Sequence, residues 1–101
     1  MKTFSNKYGV LSIEQVGQTR PVSQIHIKNI PEELQFSLER AEQMALITEN
    51  RKVQFLFDKT LNRVAMVYHE SSSTCWVAKV TMLRYAGPNA QKELASLRGM
   101  A

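Results

Sequence analysis

The stretch VQFLFDKTLNRVAMVYHESSSTCWVAKV, from Val53 to Val80, constrains the chain most, because its apolar residues recur with a period of two around two short polar connections. Val53, Phe55 and Phe57 project one way; Val64, Met66 and Tyr68 resume after DKTLN; Trp76, Ala78 and Val80 follow ESSST. Connections this short force neighbouring strands to be antiparallel, since a parallel pair needs a crossover of about a dozen residues. The other parity holds Gln54 and His69 beside four apolar residues, Leu56, Ala65, Val67 and Val77, which makes it too apolar for a fully solvated face but too polar for a deep core. These four residues are therefore predicted to form a contact surface, covered either by a strand at Ile25 and Ile27 or by a second chain through partner binding or self-association.

Before this stretch the period changes. In NIPEELQFSLERAEQMALITEN, Leu34, Leu38, Ala41 and Ala45, joined by Met44, make an apolar stripe at helical spacing. Pro31 suits a first helical turn, and Glu32 and Glu33 complement the positive end of the helix dipole, so the spacing predicts a long helix from Pro31 to about Asn50. Further upstream, Ile25 and Ile27 alternate with Gln24, His26 and Lys28 as a short strand, Gly17, Pro21 and Ser23 punctuate a loop, and residues 1–8 are expected to fray. After Gly87 and Pro88, AQKELASLRG predicts a short C-terminal helix with Leu94 and Leu97 on one face. The predicted fold class is α+β: a three-stranded antiparallel meander, a long preceding helix, a short C-terminal helix and one or two N-terminal strands.

A chain of 101 residues supplies one core, and a hydrophobic fraction of 44% is enough to build it. Its lone cysteine, Cys75, rules out an internal disulfide and a multi-cysteine zinc site. No apolar run approaches membrane-spanning length and no signal peptide opens the chain, so no membrane insertion and a cytoplasmic location are expected. The net charge is +4 and the pI about 9.5, but the basic residues are spread along the chain and residues 32–49 are acidic.

The residue types that carry chemistry are sparse. His26, His69 and Cys75 have no spacing motif that joins a thiol to a base, and Cys75 reads as a small apolar strand residue. Tyr68, His69 and Glu70 are consecutive in a strand, so His69 points away from both neighbours. Glu39 and Glu42 fit the solvated side of a helix, and the four dispersed glycines make no phosphate-binding turn. No catalytic residue, metal ligand or cofactor is predicted. Aromatic residues ringed by Arg51, Lys52, Arg63 and Lys79 could serve a nucleic-acid-binding sheet, but those aromatics are also the core that the domain needs.

The segment RAEQMALITENRKVQFLFDKTLNRVAMVYHESSST resembles the FlaG family of bacterial flagellar accessory proteins, a resemblance that covers about residues 41–80. Phe55, Asp58, Asn62, Val64 and Val67 carry the resemblance: an aromatic strand ending near an Asp, then an Asn before an apolar strand. Members usually follow with a strand of the type Glu-Val-Ile-Arg-Gln-Ile-Pro, where this chain has TCWVAKVTM and lacks the proline. The resemblance implies a non-enzymatic role in flagellar filament assembly or length, with no cofactor. The sequence thus predicts a small protein-binding or adaptor protein, with a nucleic-acid-binding protein as the alternative.

Overall fold

The computed structural model of the chain describes residues 1–87 together with Asn89, Lys92 and Ser96. Leu94 and Leu97, on which the predicted closing helix depends, lie outside the described residues.

The described residues form one six-stranded antiparallel sheet with an α-helix packed on it, and Asn89, Lys92 and Ser96 are also helical. The strands are β1 (Lys2–Asn6), β2 (Gly9–Pro21), β3 (Gln35–Phe36), β4 (Val53–Asp58), β5 (Arg63–His69) and β6 (Thr74–Tyr85), and the helix is α1 (Leu38–Thr48). This corrects the predicted architecture. The three meander strands are present, but as part of a larger sheet built on the pairing of the 13-residue β2 with the 12-residue β6. On one side of that pair lies β1, and on the other lies β5. The second edge of β5 carries β4 from Val53↔Tyr68 to Asp58↔Arg63, while β3 shares the first edge with β6 through Gln35↔Ala65 and Phe36↔Val64.

Residues 1–8 do not fray. β1 and β2 form a hairpin across Lys7 and Tyr8, and Asn6 locks it: its Oδ1 accepts from Tyr8 N at 2.9 Å. Asn6 Nδ2 donates to Leu46 O and Ile47 O, each at 2.9 Å, closing carbonyls that the last turn of α1 leaves without partners.

The helix is shorter than predicted and buries a different stripe. Pro31 has an extended backbone (ψ 140°), and α1 begins only after Ser37, whose side chain accepts from Arg40 N at 3.2 Å. The buried positions are Ala41, Met44, Ile47 and Thr48, whereas Leu38 is 47% exposed and Ala45 is exposed. Leu34 is buried on the opposite face of the sheet. Moving the helix start from Pro31 to Ser37 leaves one turn at Leu38 beyond the core. Leu38→Ala should therefore cost under about 1 kcal/mol in a denaturation measurement, and Met44→Ala about 2–5 kcal/mol.

Two clusters of buried residues lie on the two faces of the sheet. Under α1, Leu11, Ile13, Met66, Tyr68, Trp76 and Ala78 pack with Met44 and Ile47. Tyr68 and Trp76 stack with ring centroids 4.9 Å apart, and Trp76 Nε1 donates to Glu70 Oε1 at 2.7 Å. On the other face, Ala65 packs with Ile27, Ile30 and Leu34 from the segment that links β2 to β3. That segment forms three short 3-10 turns, Val22–Gln24, Ile27–Asn29 and Glu32–Leu34, and not the predicted strand. Its buried residues fall three and four apart, with prolines at 21 and 31 interrupting any ladder. Gln35 Nε2 ties two of its carbonyls, Ile30 O at 2.9 Å and Ile27 O at 3.3 Å. Among the described residues, no helix is long and apolar enough to cross a membrane.

Candidate functional site

The four residues predicted as a contact surface do lie on one face, and the chain itself covers them. Ala65 and Val67 are 0% exposed, and Leu56 and Val77 are half-buried against the Ile27–Leu34 cluster. They belong to the core of this chain. Toward β1 and the far end of β6 the same face becomes polar, with Glu14 opposite Lys79 and Thr3 Oγ1 3.0 Å from Ser12 Oγ. Met82, opposite Ser12 on this face, lies beyond the cover and is 44% exposed.

The basic residues proposed for nucleic acid are not brought together. Arg51 and Lys52 precede β4 at one end of the β4–β5 hairpin, and Arg63 stands at the other, where its Nη2 donates to Gln35 O at 3.4 Å. Lys79 is across the sheet on β6. Tyr68 and Trp76 are buried under α1, so they offer no platform on which bases could stack.

The structure does bring His69 and Cys75 together as cross-strand partners, which sequence spacing did not reveal. Their side chains are otherwise engaged. His69 Nε2 donates to Gln54 Oε1, and Cys75 is 0% exposed. Burial pushes the Cys75 thiol above its ordinary value of 9.0, the opposite of what a nucleophilic thiolate needs. No group of three or more His, Cys, Asp or Glu side chains that could hold a metal ion occurs among the described residues. A cleft of about 200 Å³ between the β2 bulge at Gly17 and the 24–34 segment holds Arg20, Gln24 and His26, all exposed.

What stands out is β4. None of its six residues is buried, although Val53, Phe55, Leu56 and Phe57 are apolar, and Phe57 is 48% exposed. The strand pairs only with β5, so among the described residues its outer edge has no partner. That edge carries no proline and no bulge, two of the devices by which proteins blunt an open strand. Lys52 N accepts no ladder role; it donates to Asn50 Oδ1 at 2.8 Å, while Lys52 O receives His69 N at 2.8 Å. Ladder groups alternate along an antiparallel strand, so Lys52, Gln54, Leu56 and Asp58 turn toward β5 and Val53, Phe55 and Phe57 turn their backbone outward. Leu61, 46% exposed, extends the apolar surface into the loop after β4.

By alternation alone Phe57 has the parity of Val53 and Phe55, which would place it with them on one side of the sheet. The available signal was the pair of lysines, Lys52 and Lys59, that bracket this strand, a charge arrangement common at open sheet edges. No family model matches the chain, and comparison with curated proteins and with solved structures likewise gives no match.

Proposed function

We propose that the chain is a non-enzymatic protein-binding or adaptor domain whose contact site is the outer edge of β4. The carrying observation is a largely apolar six-residue edge strand, with Phe57 48% exposed near its end, in a domain whose own segments cover part of each face of the sheet. Open edges of this kind bind by adding a strand, with main-chain hydrogen bonds supplying affinity and alternate side chains supplying specificity. A cytoplasmic setting accords with a single buried thiol. The flagellar version of this reading rests on the match at Phe55, Asp58, Asn62, Val64 and Val67 alone.

A photo-reactive phenylalanine analogue in place of Phe57 tests the site in the native cell. It should crosslink to protein, and the same analogue in place of exposed Glu14 should not. Equal labelling from both positions, or none from 57, would remove the reading, and crosslinks to nucleic acid would favour the alternative.

A further inference from the structure

We propose that the partner at this edge is a second copy of the chain, the two β4 strands pairing antiparallel about a two-fold axis at Phe55. The proposal rests on the reading of β4 as the contact edge and adds its occupant. The backbone fixes the parity of the pairing, and the apolar side chains and the Lys52–Asp58 pair favour one register within it.

The backbone requires that outward-turned residues meet outward-turned residues, so Val53, Phe55 and Phe57 must oppose one another. With Phe55 opposite the partner's Phe55, Phe57 falls opposite the partner's Val53, and both faces of the sheet continue across the join. Phe55 offers an N–H and a carbonyl, and Phe57 N–H meets the partner's Val53 carbonyl. Val53 offers its carbonyl alone, because its N–H is given to Asn50 O at 3.1 Å. On the helix side, this register sets the exposed Phe57 ring at a groove of about 380 Å³ whose lining includes Ala45, Thr48, Val53 and Phe55 of the other copy. A two-fold contact repeats the insertion in reverse.

This register also forms two ion pairs. Lys52 falls opposite the partner's Asp58, and Asp58 opposite the partner's Lys52, on the face away from α1. Moving the axis to Gln54 sets Lys52 against the partner's Leu56, and moving it to Leu56 sets it against the partner's Thr60. Either slip loses both ion pairs and shortens the overlap of the apolar strands. One position further out, the same register sets Arg51 opposite the partner's Lys59, like charges that either slip would separate, so the ion pairs are offset in part and the longer overlap of the apolar strands carries the choice of register.

Sedimentation equilibrium on the full chain tests the dimer. Lys52→Glu lowers the net charge of each copy from +4, which by itself eases repulsion, yet it sets Glu against Asp twice. It should weaken dimerisation by about tenfold or more. Adding Asp58→Lys to Lys52→Glu should recover most of that loss, while Arg40→Glu, the same charge change on exposed α1, should not weaken the dimer. Asp58 Oδ1 accepts from Leu61 N at 3.1 Å, so circular dichroism must show the double variant folded. If it is not, Phe57→Ser serves in its place and should also weaken dimerisation by about tenfold. A chain that stays monomeric at several hundred micromolar, or a dimer indifferent to Lys52→Glu and Phe57→Ser, overturns the proposal. A monomer that still crosslinks to a different protein from position 57 overturns the dimer alone and leaves the binding reading standing.

Discussion

Val67→Lys should yield no folded protein. Val67 is 0% exposed in the middle of β5, paired with Gln54 on one side and Val77 on the other, beneath the cover provided by the 25–34 segment. A lysine there must bury an ammonium without a counter-ion or disrupt that cover. The penalty exceeds about 4 kcal/mol, against a total stability of roughly 5–15 kcal/mol for a domain. The expected result is loss of the cooperative thermal transition in circular dichroism. A folded monomer carrying Val67→Lys would show instead that this face is covered by a partner and that the 3-10 segment does not seal it.

Gly9→Ala should be nearly as damaging, for a backbone reason. A Cβ at Gly9 would lie 2.1 Å from Arg84 O and 3.0 Å from Tyr85 Cα, both main-chain atoms, and Gly9 has φ +155°. Relief requires separating β2 from β6 at the Gly9↔Tyr85 pair, beside which Ala86 N donates to Tyr8 O at 2.9 Å. The hairpin displaced is the one through which Asn6 holds the end of α1. A cost of about 3–5 kcal/mol, or a fall of about 12 °C or more in Tm, is expected. Gly17→Ala is the comparison: φ is +73° but nothing lies within 4 Å, so only the conformational cost of about 1 kcal/mol applies. Equal effects at the two glycines would contradict the close β2–β6 approach.

The strands that were legible in the sequence are those whose partners are close in the chain. Val53 to Phe57 and Val64 to Tyr68 alternate around a four-residue connection, and local turn chemistry fixes their pairing, with Asn62 in the left-handed conformation at φ 53°. β2 was hidden because its alternation is broken by Gly17 and by a bulge between Val16 and Arg20, and its partner lies some sixty residues away. The same pairing extends β6 through Thr81, Met82 and Arg84, whose exposed side chains carry no core signal. At α1, the competing starts were Pro31 and Ser37, and only the tertiary need for Leu34 on the other face decides between them.

The candidate site divides in the same way. The apolar second parity at Leu56, Ala65, Val67 and Val77 was readable and did require a cover. Which segment supplies that cover is a long-range fact, and a periodic spacing of Ile27, Ile30 and Leu34 could have suggested it. The open edge of β4 was marked in the sequence only by the bracketing Lys52 and Lys59, because strand order is a property of the assembled sheet: Phe57 has the parity of a core residue, yet among the described residues no strand pairs with the outer edge of β4.

Residue-resolved amide hydrogen exchange along β4, measured at several protein concentrations, tests the account most directly. In dilute protein the amides of Gln54, Leu56 and Asp58, turned toward β5, should be protected, while those of Phe55 and Phe57 exchange freely. Raising the concentration should protect Phe55 and Phe57 without changing the other three. Protection of Phe55 and Phe57 that is already complete in dilute protein would show that the chain closes this edge itself, and would contradict β4 as the binding surface.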